Sequence, residues 1–136
     1  MKAPSIYRSR PSGVESLFGK KKAIVAVIHS KPLPGSPEYD GESMAELYAY
    51  ALEEGRRYAA GGVNALILEN HGDIPFLKPG DIGQETAAAM AVMAELIRKE
   101  TGLTIGINVL ANGAPTAIAV AKAAGAKFIR VNQWAN

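Results

Sequence analysis

The chain has 136 residues, of which 48% are hydrophobic and 21% are charged, with a formal net charge of +2 and no cysteine. These values fit one globular domain with a real core. The small net charge argues against nucleic acid as a partner, and the lack of cysteine excludes disulfides, thiolate nucleophiles and zinc–thiolate sites. Because no apolar run approaches the roughly 20 residues of a membrane span, we expect a cytoplasmic protein without membrane insertion.

The chain begins with a polar, basic segment, residues 1–22. Within it the spacing of Val14, Leu17 and Phe18 predicts one short helix that closes the base of the fold. The lysines at 20–22 are interpreted as a solvated segment before the first strand, with an anion-binding patch as the alternative. The remaining residues, 23–136, are assigned to the main domain.

Four short apolar runs bounded by turn residues predict four buried strands, at 24–28, 65–68, 104–109 and 127–131. Longer stretches between them predict three helices, ending near Ala60, Thr101 and Ala124. The first of these begins at Asp40 or Ser43 as N-cap, the second near Gln84, and the third at Pro115. Glycines 61, 102 and 125 are expected to end them. Proline-rich loops follow the first two strands.

The helices carry apolar stripes that we expect to face the sheet. For the first main helix the predicted inward residues are Met44, Leu47, Ala51 and Tyr58. For the second they are Ala88, Val92, Leu96 and Ile97. The alternation of strands and helices predicts an α/β fold with parallel strands and right-handed crossovers.

The two faces of the predicted strands differ in chemistry. One face carries small, polar and charged residues, whereas the other is almost entirely branched aliphatic, from Ile24 and Ile28 to Ile129 and Val131. A doubly wound sheet needs aliphatic cover on both faces, and the interior of a barrel does not. The pattern therefore favours a parallel (β/α) barrel over a doubly wound sheet.

A polar side chain stands at the end of each predicted strand, and these four residues are His29, Glu69, Asn108 and Asn132. Parallel α/β proteins bind ligands at the carboxyl ends of their strands. The sequence therefore predicts a small-molecule site at this edge.

Glu69 is the leading catalytic candidate. It could act as a general base, hold a hard divalent cation together with Asp73, or form an ion pair with Arg130. His29 is either an acid–base group or an imidazole bonded to a backbone carbonyl. We expect His71, which lies in the following loop, at the surface.

Three asparagines at matched strand ends predict ligand binding, because an amide both donates and accepts. They are Asn70, Asn108 and Asn132, and strand-end capping is their alternative role. Arg130 is predicted to contact an anionic group of the ligand, or otherwise to pair with Glu69. Asn112 precedes the third main helix, where free amides offer a weak anion seat. No dinucleotide, P-loop or serine-nucleophile signature occurs in the sequence.

Several separate motifs resemble one known family. They are the stretch 27–37 (VIHSKPLPGSP), the stretch 61–70 (GGVNALILEN) with Gly72, Asp73, Pro75 and Phe76, the stretch 106–110 with Asn112, and the stretch 128–132 (FIRVN). Together they resemble the BtpA/SgcQ family over roughly residues 15–132. The resemblance implies a TIM barrel of the ribulose-phosphate-binding type, with one branch linked to photosystem I biogenesis and another to sugar-metabolism genes.

Members of that family are about twice as long, since a complete barrel takes about 200–250 residues. We therefore expect the N-terminal half of a (β/α)8 barrel, with about four βα units, from a truncated chain or from a half-barrel that forms a homodimer or higher oligomer. The favoured function is an enzyme-type barrel that binds a small polar or phosphorylated, sugar- or nucleoside-like ligand. The alternatives are a non-catalytic factor for biogenesis of a membrane protein complex, or an inactive fragment.

Overall fold

The computed structural model describes residues 11–133, in which four parallel strands alternate with helices. The strands are β1 (Val25–His29), β2 (Ala65–Glu69), β3 (Thr104–Asn108) and β4 (Phe128–Arg130). The helices are α1 (Gly13–Phe18), α2 (Met44–Ala60), α3 (Gln84–Thr101) and α4 (Ala114–Ala124), with one 3-10 turn at Pro79–Asp81. The first ten residues of the predicted basic segment lie outside the described part. No helix among the described residues is long and apolar enough to cross a membrane.

The sheet has the order β1-β2-β3-β4, and every neighbouring pair is parallel and in register. Sequential parallel strands joined by helices are the arrangement of one half of a TIM barrel. The predicted α/β fold with about four βα units is therefore confirmed. The strand bounds and the start of α4 differ from the predicted ones by no more than one residue, and α2, α3 and α4 end where predicted.

Local chemistry explains where the helices begin and end. Ser43, rather than Asp40, caps α2 in a reciprocal capping box: its side chain accepts from the Glu46 amide, and the Glu46 carboxylate accepts from the Ser43 amide at 2.9 Å. Gly102 and Gly125 end α3 and α4 in the left-handed conformation, with φ of 68° and 71°. These glycines were predicted as helix ends, and that prediction is confirmed.

The core lies between the helices and the aliphatic face of the sheet. Strands β1 to β3 contribute the buried side chains of Ile28, Leu66, Leu68, Ile105 and Ile107, and Val109 follows directly after β3. Leu47 and Ala51 of α2 pack against them, as the apolar stripe predicted. Ile24 is an exception to the predicted face, since it is 67% exposed. It precedes β1, beyond the reach of the helices that cover the sheet.

The predicted inward face of α3 is partly wrong. Ala88 and Val92 are exposed, whereas Met90, Met93 and Ile97 are fully buried. Helix α3 packs against α2 on one side and α4 on the other. Because alanines and apolar side chains surround most of this helix, several rotations satisfy its periodicity, and only these two neighbours select one of them.

The other face of the sheet is the one that lines the interior of a barrel. At its lower end Phe18 of α1 meets Phe128 of β4 edge to face, with ring centroids 6.3 Å apart. The Phe128 ring lies directly over Gly106 of β3, where any Cβ would overlap it. The predicted short helix is present as α1, and this contact places its last residue beside the first residue of β4.

Candidate functional site

Four polar side chains form a single row across the carboxyl ends of the strands. The register aligns His29 with Glu69, Glu69 with Asn108, and Asn108 with Arg130. Parallel pairing without slippage places all four on the same face. The predicted grouping of His29, Glu69 and Asn108 is therefore present, and Arg130 supplies the fourth position. We call these four residues the strand-end row.

Glu69 is the centre of this row. Its side chain is 5% exposed, and Oε1 accepts a hydrogen bond from Nη1 of Arg130 at 2.8 Å. Its other oxygen, Oε2, lies 3.8 Å from Nε2 of His29. The side chains of Arg130 and His29 are 56% and 52% exposed, so a buried carboxylate stands between two groups that reach solvent. This arrangement can exchange a proton and bind an anion.

Asn108 lies between Glu69 and Arg130 in the row and is 1% exposed. Within the described residues neither its amide nitrogen nor its amide oxygen has a hydrogen-bond partner. Buried polar side chains are nearly always paired, because an unpaired buried donor or acceptor costs about 1–3 kcal/mol. Among the described residues, this unpaired amide is the observation that most favours a ligand site at the strand ends.

An aromatic cluster stands beside the row. The imidazole of His71 stacks on that of His29, with centroids 4.3 Å apart and planes 18° from parallel. Phe76 meets His71 edge to face at 5.9 Å. His71 is exposed, as predicted. Its stacking on His29 was not predicted from the sequence, because the contact joins the loop after β2 to the end of β1 and depends on how the strands pair.

Asn70 and Asp73 form a separate buried pair. The Asp73 carboxylate accepts from the Leu33 amide at 2.8 Å and from Nδ2 of Asn70 at 3.0 Å. Asn70 also accepts from the Leu110 amide at 2.6 Å and donates to the Leu110 carbonyl at 3.2 Å. Burial raises the pKa of Asp73, and its hydrogen bonds to Leu33 and Asn70 oppose that rise. The pair ties the loops after β1, β2 and β3 together.

The contacts of this pair give it a structural role, while its predicted roles in catalysis and ligand binding stay predictions. Asn70 and Asp73 do line a narrow cleft, together with Thr86 and Leu110. Glu69 and Asp73 bind different partners. Among the described residues no group of three His, Asp or Glu side chains is placed to hold a metal ion. A divalent cation, one of the alternative roles considered for Glu69 and Asp73, stays untested.

Asn112 and Asn132 contact each other at the far end of the sheet. The Asn112 amide donates to Oδ1 of Asn132 at 2.8 Å, and Nδ2 of Asn112 donates to the side chain of Gln133 at 3.2 Å. Asn112 adopts a left-handed φ of 58°, which asparagine tolerates better than most residues. These bonds join the loop after β3 to the segment after β4, beyond the strand-end row.

Comparison with known proteins gives a consistent picture. The model of the BtpA family matches residues 20–136. The chain is 46% identical to an uncharacterized protein of Archaeoglobus fulgidus over 113 residues, which are 83% of this chain and 44% of that protein. It is 36% identical to the photosystem I biogenesis protein BtpA of Synechocystis sp. over 115 residues, 85% of this chain and 39% of that protein.

The chain is also 32% identical to the putative sgc region protein SgcQ of Escherichia coli K12 over 120 residues. That match covers 88% of this chain and 44% of SgcQ. The chain thus spans less than half the length of these curated relatives.

Proposed function

The chain belongs to the BtpA family, and on that premise we propose that its strand-end row is an enzyme-type site for a small polar ligand. The ligand is sugar-like or nucleoside-like and can carry a phosphate. In this proposal Glu69 is the general base, His29 is its acid–base partner, and Asn108 orients the ligand. Arg130 contacts the anionic group.

The open amide of Asn108 is the observation that carries the proposal. It is buried on the same row as Glu69, and it has both a donor and an acceptor to offer. A hydroxyl or carbonyl group satisfies both atoms and so recovers the cost of leaving them unpaired. Sugars present both groups, and in a sugar with a free carbonyl group the proton on the carbon next to that carbonyl is one that a carboxylate can remove.

Proton transfer is the chemistry that the neighbouring groups support. Glu69 has one oxygen towards Arg130 and one towards His29, so the carboxylate is held in a fixed orientation. The stacked rings of His29 and His71 form a flat wall on one side, which suits a sugar ring or a base. Each of these features lies at the carboxyl ends of the strands, where barrel enzymes place their reactions.

Glu69→Gln is expected to lower the turnover of any substrate found for this site by about 100-fold or more, because the amide cannot accept a proton. A panel of sugar phosphates and nucleosides is first screened by NMR for compounds that shift the side-chain amide signals of Asn108. Turnover and affinity are then compared for the parent chain and the variant. Glu53→Gln, which changes an exposed carboxylate on α2, is the control. Unchanged turnover in Glu69→Gln, or a panel without effect on Asn108, contradicts the proposal.

A second function, assistance in the biogenesis of a photosystem I-type membrane complex, is favoured by one surface feature. The loop after β2 exposes three large apolar side chains close together in sequence, Ile74, Phe76 and Leu77. Exposed apolar groups that cluster in one loop are typical of a contact surface. The Synechocystis relative carries the name of such a biogenesis protein.

The combined change Ile74→Ser and Leu77→Ser tests this second function. If the loop binds the complex, the variant loses most of its binding to immobilised, detergent-solubilised photosystem I, since apolar contact area is removed. Val92→Ser removes an equally exposed apolar side chain from α3 and should leave binding unchanged. Absence of binding by the parent chain, or equal loss in both variants, argues against this function.

A further inference from the structure

We propose that an anionic ligand group takes the place of Glu69 on Arg130, and that this exchange opens Asn108 to the rest of the ligand. The inference rests on the proposed function and narrows its ligand class. The ligand must carry a phosphate or carboxylate together with a neutral hydroxyl or carbonyl group. The ion pair of Glu69 and Arg130 then covers the site until such a ligand binds.

The geometry of the ion pair shows what it covers. Glu69 is on β2 and Arg130 is on β4, so the bond of 2.8 Å joins residues two strands apart. Neighbouring strands are about 4.8 Å apart, and the two side chains together therefore bridge about 10 Å. Asn108 of β3 is the residue of the same row between them. The Glu69–Arg130 ion pair therefore spans β3 at the position of Asn108, whose side-chain amide is buried and unpaired.

The two partners of the ion pair are unequal. The Arg130 side chain is half exposed, whereas Glu69 is almost completely buried. Arg130 donates to Glu69 through a single nitrogen, Nη1, although a guanidinium has five donors in a planar fork. A phosphate or carboxylate can accept two of them side by side, which is a stronger contact than the present one. An anion from solvent therefore reaches the exposed Arg130 guanidinium and draws it away from Glu69.

The exchange leaves Glu69 with His29 as its remaining neighbour in the row. The 3.8 Å separation between Oε2 and Nε2 closes to a hydrogen bond with a small side-chain movement. Arg130 then neutralises the anionic group of the ligand, and the Glu69–His29 pair faces the neutral part of the ligand. Binding of the anionic group thereby prepares the same carboxylate that acts as base in the proposed function.

Titration with inorganic phosphate tests the exchange in the 136-residue chain. Phosphate should shift the NMR signals of the Arg130 guanidinium and of the Asn108 side-chain amide in parallel. Glu69→Gln should bind phosphate about tenfold more tightly, because a neutral amide competes less well for Arg130. Arg130→Gln should abolish the response of Asn108. Arg130→Lys keeps the charge but loses the planar fork, and should bind several-fold more weakly than the parent chain.

Arg98→Gln is the matched control. The Arg98 guanidinium pairs with Glu95 and the Ala124 carbonyl, in the helical layer and away from the strand ends. The Arg98→Gln variant should bind phosphate with an affinity within about twofold of that of the parent chain, because the change is remote from the strand-end row. If Glu69→Gln binds phosphate no more tightly than the parent chain, or phosphate shifts signals only outside Arg130 and Asn108, the exchange is overturned. The proposed function survives that result if a neutral panel compound still shifts Asn108.

Discussion

Gly72→Ala is expected to lower the free energy of unfolding by about 3 kcal/mol, at the upper end of the usual cost of overpacking. A Cβ at this position would lie 2.5 Å from the Lys31 carbonyl carbon, 2.5 Å from the Pro32 nitrogen and 2.7 Å from the Ser30 oxygen. All three are backbone atoms of a proline-rich loop, so no side chain can rotate away. The Gly72 amide also donates to the Ser30 carbonyl at 3.1 Å, and that bond is lost if the loops separate.

Urea denaturation of the parent and variant chains measures this effect. Gly80→Ala is the control, because a Cβ there meets nothing within 4 Å. It should change the free energy of unfolding by no more than about 0.5 kcal/mol. Since His71 precedes Gly72 and stacks on His29, the variant should also alter the His29 ring signals in NMR. Equal stability of the two variants would show that the contact between these loops is not tight.

Asn70→Ala is expected to cost about 3 kcal/mol of unfolding free energy, through unsatisfied buried groups rather than lost volume. The side chain of Asn70 satisfies both the amide and the carbonyl of Leu110, and it donates to Asp73. Leu110 is buried, so water cannot replace these bonds without opening the loop. Each orphaned group costs about 1–3 kcal/mol.

Asn64→Ala is the control for Asn70→Ala. The Asn64 side chain also accepts a hydrogen bond from a backbone amide, that of Ile24 at 2.9 Å, but this bond is exposed to solvent. Water can replace the Asn64 side chain on the Ile24 amide, so the loss of unfolding free energy should stay below about 1 kcal/mol. Chemical denaturation of both variants under the same conditions gives the difference. A loss in Asn70→Ala that is no larger than in Asn64→Ala would mean that the Leu110 groups find other partners.

These two predictions concern the frame of the site rather than the site itself. The loops that Gly72 and Asn70 hold together follow β1, β2 and β3, and the strand-end row lies at the same edge. In the proposed function the Asn108 amide stays unpaired until a ligand binds, and rigid surroundings support this because a flexible loop would collapse onto the amide. The proposal therefore links the stability of these loops to the binding of the ligand.

The sequence by itself determined the elements, most of their ends and the polar face of the strands. Turn chemistry around Ser43, Gly102 and Gly125 predicted helix ends that the structure has, because capping depends on a few neighbouring residues. The alternation of polar and aliphatic residues along the strands predicted that Glu69 and Asn108 share a face. The period of a strand is two whatever lies around it, and so this grouping needs no tertiary information.

The tertiary structure decided which polar contacts form. Glu69 pairs with Arg130, which the sequence left as one of three roles for Glu69, whereas its sequence neighbour Asn70 binds Leu110, a contact that the sequence did not predict. Neither the buried face of α3 nor the stacking of His71 on His29 could be predicted from the sequence. Partners such as Asn70 and Leu110 are 40 residues apart, and Glu69 and Arg130 are 61 apart. Periodicity reports which side of an element is buried, whereas contacts between distant residues exist only once the elements have packed together.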